Sequence, residues 1–224
     1  MTRATLSRSD QQIQAAVEAE LDWTPNVDAA GIGVAVENGT VALSGEVDSY
    51  AEKSAAKRAA FRVRGVHTVV DDLALRSTSN LWAVSETEVA RRVEKAIDWL
   101  TVPPNSVRAE ITGHHVVLTG EVQWNDERVQ AERAVERIVG VSGVDNRITL
   151  AKRASAADTA ERITNALARN AALDAKAITV TTTGNTVTLT GTVHSWAERR
   201  AAENAAWSSP HVTAVDDRLT IRWA

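Results

Sequence analysis

The chain has 224 residues, 44% hydrophobic and 24% charged, with a net charge of −4. That apolar content supports a packed core and is too high for a disordered chain. The absence of cysteine excludes disulfides, thiolate metal sites and cysteine nucleophiles. An acidic balance opposes binding to a phosphate backbone, so nucleic acid is not an expected partner.

The opening MTRATLSRSD leads into no apolar run of signal-peptide length. No later stretch approaches the ~20 apolar residues that a bilayer span requires. A cytoplasmic location is expected on that basis, and a periplasmic one only if a targeting segment has been removed. Residues 10–23 predict an amphipathic helix, with Ile13, Val17 and Leu21 as its apolar stripe and Asp10 as its N-cap. After a loop containing Pro25, two alternating runs follow: Ile32, Val34 and Val36, then Val41, Leu43 and Val47. Asn38-Gly39 between them predicts a two-residue hairpin of type I′. Ser49 and Glu52 form a capping box that opens a second helix, and VVDDLAL at 69–75 closes the unit as a third strand.

The same order then returns twice. LSGEV at 43–47 is matched by LTGEV at 118–122 and LTGTV at 189–193, and VVDDLAL by VDNRITL at 144–150 and VDDRLTI at 215–221. The helical stripe recurs as Val89, Val93 and Ile97, then Ile163 and Leu167, with Ser85 and Asp158 as expected N-caps. A repeat at this period must be read before any other feature. It divides the chain into a tail (1–8), units at 9–75, 85–150 and 156–224, and linkers at 76–84 and 151–155. Each unit predicts α-β-β-α-β. The hairpin makes its strands antiparallel, and the crossover helix makes strands two and three parallel. The fold class is α+β: three tandem two-layer sandwiches, each a three-stranded mixed sheet with both helices on one face. Units of this size are marginally stable alone, so packing between them is expected.

Gly45, Gly120 and Gly191 fall on the inward side of each second strand, where helix two is expected to approach closely. In unit three, Thr179, Thr181, Thr183, Thr186, Thr188, Thr190 and Thr192 form the opposite face, either solvated or covered by a partner.

Residues able to carry chemistry are sparse. His114 and His115 sit at a hairpin and point to opposite faces, while His67 and His211 precede the last strands. None has metal-ligand spacing. The recurrent acids Asp71-Asp72 and Asp216-Asp217, with Asp145-Asn146 between them, predict a structural role in the turn, with a cation site as the competing reading. No phosphate loop, HExxH or GxSxG pattern occurs. No enzyme activity, cofactor, metal or small-molecule substrate is therefore expected. Trp23 and Trp99, matched by Leu173, read as core positions at the end of helix one. Trp82, Trp124, Trp196 and Trp223, with Arg222, are candidate contacts to lipid or a partner, because an amphipathic ring at a loop or helix end suits an interface. Packing between units is the competing explanation. Unit one has five basic and eleven acidic residues, unit two eight and eleven, unit three seven and seven. An anionic surface would thus meet the third unit most readily.

The LxGxV strand, the helix entry with its following Glu, and the ending from Gly65-Val66 to Leu73 and from Gly140-Val141 to Ile148 resemble the BON (bacterial OsmY and nodulation) domain family. In unit three His211 replaces the glycine, which predicts a different loop conformation there. The resemblance makes Gly65 and Gly140 structural glycines and implies no shared catalytic residues. It implies binding of a phospholipid membrane surface or hydrophobic ligand and a protective role in osmotic or envelope stress. The alternative is a protein-interaction or chaperone-like module that uses the exposed sheet faces.

Overall fold

Ser9 opens the first helix, α1 (Asp10–Asp22). Its hydroxyl accepts the Gln12 amide, and the Gln12 side chain returns to the Ser9 amide. The cap is therefore one residue before Asp10. The Asp10 carboxylate instead reaches the hairpin, where it accepts the Asn38 and Gly39 amides at 2.8 and 3.0 Å. The computed structural model describes residues 9–76, 84–100, 102–103, 105–154, 156–170 and 175–222.

Beyond α1 a single 3-10 turn leads into β1 (Ile32–Glu37) and β2 (Thr40–Val47), which pair antiparallel. Helix α2 (Tyr50–Arg62) crosses over, and β3 (Thr68–Leu75) pairs parallel with β2. Unit two repeats this as α3 (Glu86–Asp98), β4 (Val107–Thr112), β5 (His115–Val122) and α4 (Asn125–Glu136). Its last strand is in two pieces, β6 (Gly143–Asn146) and β7 (Thr149–Leu150), both parallel to β5. Unit three runs α5 (Thr159–Arg169), β8 (Ile178–Thr183), β9 (Thr186–Val193), α6 (Trp196–Trp207) and β10 (Ala214–Ile221). The chain thus forms three mixed sheets with the second strand central in each.

Each second helix starts in the same way. Ser49 and Ser195 accept the amides of Glu52 and Glu198, and those carboxylates bond back to the amides of Asp48 and His194, both at 2.8 Å. Trp124 replaces the serine in unit two, but Glu127 still accepts the Gln123 and Trp124 amides. These bonds satisfy amide groups that a helix start otherwise leaves unpaired.

The inward stripe of each first helix meets the inward face of its sheet. Val17, Leu21, Val41 and Leu43 are fully or almost fully buried in unit one, as are Val89, Val93, Val116 and Leu118 in unit two, and Ile163, Leu167, Val187 and Leu189 in unit three. Each such side chain contributes about 1.5–3 kcal/mol. The second helices approach through alanine: Ala56, Ala59 and Ala60 in unit one, Ala202 and Ala206 in unit three, all fully buried.

The units also grip one another through these second helices. Phe61, Glu136 and Trp207 occupy the same repeat position near the end of α2, α4 and α6. Each receives a residue from the second helix of another unit. Arg58 of α2 pairs with Glu136 at 3.2 Å. Arg128 of α4 lies 4.9 Å over the Trp207 ring, and Trp196 of α6 packs edge-on against Phe61 at 4.9 Å. Unit one thus contacts two, two contacts three and three contacts one, and the contacts close a ring. Trp207 packs against the cores of both units two and three, and Tyr50 of α2 against the core of unit two.

Candidate binding surfaces

The strand glycines have a different cause from the one expected. Gly45, Gly120 and Gly191 take φ of +116°, +132° and +122°. A β-carbon at each would overlap the carbonyl oxygen of Gly31, Ser106 and Ala177, the residue just before the first strand of the same unit. The hairpin partner, and not helix two, fills the space. At Gly65 the added carbon would press on Ile13 at 2.9 Å, and at Gly140 on Val89 at 2.5 Å, so these loops close over the first helix. Both have positive φ, whereas His211 at the same place in unit three does not. Its Nδ1 lies 2.9 Å from the Ala154 carbonyl oxygen.

The recurrent acids hold the sheet edge. Asp71, Asn146 and Asp217 each accept the backbone amide two residues on, from Leu73, Ile148 and Leu219. Second-helix cations take part as well: Lys53 and Lys57 lie 3.2 and 3.1 Å from Asp71, and Arg199 lies 2.5 Å from Asp217. Lys53 also donates to the Leu73 carbonyl, and Arg199 to that of Asp217. Burial works to raise the Asp71 carboxyl, but hydrogen bonds from Lys57 and Lys53 outweigh it and hold the group below its ordinary value. In unit three Glu203 replaces Lys57. Burial, then a hydrogen bond with Asp217, push Glu203 up to about 7. Burial opposes ionisation of Asp217 too, but its bonds to Glu203, Arg199 and the Leu219 amide hold it low. These carboxylates are therefore occupied by helix cations and backbone amides. Among the described residues, no cluster of His and acidic groups is arranged to hold a metal ion. His114 is buried with Nδ1 2.8 Å from the Gly140 carbonyl oxygen, and His115 is exposed on the other side of the strand.

The tryptophans divide by environment. Trp196 donates its indole N–H to the His67 carbonyl at 3.1 Å and lines a cleft of about 120 Å³ with Arg58, Phe61, Arg62 and Arg200. Two of those arginines are already paired, Arg58 with Glu136 and Arg62 with Glu20. Trp124 is 49% exposed, and the Arg153 guanidinium stacks 3.8 Å over its ring. Arg222 is exposed, while Trp82, Trp223 and Leu173 lie outside the described residues. The core assignment of Trp23 and Trp99 is overturned, since they are 84% and 81% exposed. Each is the C-cap of its unit's first helix, and each stands two residues past the apolar stripe. Two residues turn the helix by about 200°, away from the sheet. Nearby charges are mixed: Glu20 is bound to Arg62 at 2.6 Å beside Trp23, and Lys95 lies 5.9 Å from the Trp99 ring.

Three small α-β-β-α-β modules, joined through their second helices and presenting exposed indoles, define a tandem-domain protein. The BON domain model matches residues 9–77, 85–152 and 155–222. The chain belongs to the BON domain family. It is similar to osmotically-inducible protein Y of Escherichia coli, at 30% identity over 141 residues that span 61% of this chain and 70% of that protein. Among solved structures it aligns with the C-terminal domain of CdsD, a structural protein of the type III secretion system of Chlamydia trachomatis. That alignment has 13% identity and a TM-score of 0.27, covering 96% of this chain and 100% of that one. A second CdsD structure aligns at 14% identity with the same TM-score, covering 94% of this chain and 92% of that one. Neither likeness carries an argument.

Proposed function

We propose that this is a non-enzymatic binding protein of osmotic stress that docks on a phospholipid membrane surface. One observation carries the reading: Trp23 and Trp99, large amphipathic rings at matching helix ends, are left almost bare. An indole at such a position sits at the boundary between headgroup and acyl chain. The osmotic role draws support from the name of the Escherichia coli relative and from the shared family. The absence of catalysis is supported by the recurrent polar residues, whose hydrogen bonds close turns and strand edges. With mixed charge around both rings, insertion and not ion pairing supplies most of the attraction. Among the described residues no helix is long and apolar enough to cross a membrane. The test is tryptophan emission with vesicles of phosphatidylcholine, with and without phosphatidylglycerol. A blue shift in both, largely lost in Trp23→Ala/Trp99→Ala, supports the reading; an unchanged spectrum opposes it. The second reading, a protein-docking module, is favoured by the threonine face of the third sheet, exposed at Thr179, Thr181 and Thr183 and half-buried at Thr186, Thr188, Thr190 and Thr192.

A further inference from the structure

The junction between units three and one carries a cation that its packing does not use. Trp196 already fastens α6 to α2, through the Phe61 ring and the His67 carbonyl. Between these helices lies the cleft of about 120 Å³, walled by the Phe61 and Trp196 rings and lined by Arg58, Arg62 and Arg200. The first two arginines belong to unit one and the third to unit three, so the cleft exists only while the two helices are together.

Donors exceed acceptors there. Arg58 Nη1 is engaged by Glu136, Arg62 Nε by Glu20 and Arg62 Nη2 by Thr24. The remaining nitrogens of these two side chains have no bonding partner among the described residues, and Arg200 makes no hydrogen bond or ion pair among them. Glu203, one turn further along α6, is hydrogen-bonded to Asp217 instead. The carboxylates of Glu136 and Glu20 balance Arg58 and Arg62, and the charge of Arg200 is left over. The repeat does not require a cation at this place, where unit one has Ser54 and unit two Val129. Like charges gathered around a small space with aromatic walls repel one another more strongly than in open water, because the local dielectric is lower.

We propose that this cleft binds the terminal phosphate group of a phosphate monoester. Guanidinium groups meet phosphate oxygens through paired, charge-assisted hydrogen bonds, and their planar forks suit that geometry better than an ammonium does. The space equals that of about four waters. It admits one tetrahedral group and falls well below the ~300 Å³ of a site for a drug-sized molecule. A terminal phosphate offers three free oxygens to three guanidinium groups. A diester offers two, and its second substituent has no room. The bound group would tie unit one to unit three and so stabilise the ring. Arg62 also lines the hollow beside Trp23, so two sources are open to the ester, a soluble molecule or the headgroup of phosphatidic acid. The site goes beyond membrane docking, since neither Trp23 nor Trp99 lines the cleft.

The probe is glycerol 3-phosphate, titrated calorimetrically into the full chain without lipid. Binding should weaken roughly tenfold or more in Arg200→Gln, which removes a charge-assisted contact. Arg200 is exposed and unpaired among the described residues, so the variant keeps the fold. Arg108→Gln, at an exposed position on β4, should leave binding unchanged, and the diester glycerophosphocholine should bind roughly tenfold more weakly or not at all. Trp23→Ala/Trp99→Ala should bind glycerol 3-phosphate as the wild type does, which separates this site from membrane docking. No binding of glycerol 3-phosphate, equal affinity for the diester, or equal affinity in Arg200→Gln and Arg108→Gln overturns the proposal. Vesicles of phosphatidylcholine with and without phosphatidic acid then distinguish the sources. Extra pelleting that glycerol 3-phosphate displaces and Arg200→Gln loses assigns the lipid headgroup, and pelleting independent of Arg200 assigns the soluble ester.

Discussion

Gly120→Ala tests the physical role of the strand glycines. Gly120 has φ +132°, and its added carbon would lie under 3.0 Å from the Ser106 carbonyl oxygen, which is backbone and cannot swing aside. Two costs combine. An L-residue at such φ is strained by about 1–3 kcal/mol, and forced overpacking adds about 1–3 kcal/mol. The expected loss is therefore about 3–4 kcal/mol, a large share of the ~5–15 kcal/mol that holds a domain folded. Gly113→Ala separates the two terms, since Gly113 also has positive φ, +58°, but meets nothing within 4 Å. It should cost about 1 kcal/mol, and Thr119→Val on the exposed side of the same strand less than about 0.5 kcal/mol. Urea denaturation of the three variants reads the difference directly. With slopes of ~1–3 kcal/mol/M, Gly120→Ala should lower the midpoint by about 1 M or more. Equal midpoints for Gly120→Ala and Gly113→Ala would show that the carbonyl contact is not the constraint.

Glu203 gives the third unit a pH dependence. Its folded pKa of about 7 lies above its ordinary 4.5, so its stabilisation is fully present below about pH 4.5 and is lost as pH rises through 7. Half-exposure reduces the effect to about 1 kcal/mol, and Glu203→Gln should remove that slope from denaturation midpoints measured between pH 4.5 and 8. Trp196→Ala removes the indole bond to His67 and the contact with Phe61. It should cost about 2 kcal/mol and broaden the calorimetric transition as the ring opens.

Much of the architecture was legible because the repeat states it three times. The LxGxV strand, the Ser49 and Ser195 caps and the alternation around Leu43, Leu118 and Leu189 all point to one unit. What the pattern concealed depends on direction. Trp23 and Trp99 follow the stripe in two units and so suggest core positions, yet two residues past Leu21 or Ile97 is the opposite face of a helix, a spacing the sequence itself carries. The positive φ of Gly120 is set by the approach of Ser106, a tertiary contact that composition cannot report. The ring was hidden for another reason. One repeat position carries Phe61, Glu136 and Trp207, so three chemically different contacts perform one task and share no motif.

Co-sedimentation with phosphatidylcholine vesicles, and with vesicles containing phosphatidylglycerol, tests the central claim most directly. The wild-type chain should pellet with both, with little change on adding salt, and Trp23→Ala/Trp99→Ala should remain in the supernatant while retaining its circular dichroism spectrum. Failure of the wild type to pellet with either vesicle, or equal pelleting by the double variant, would contradict the account.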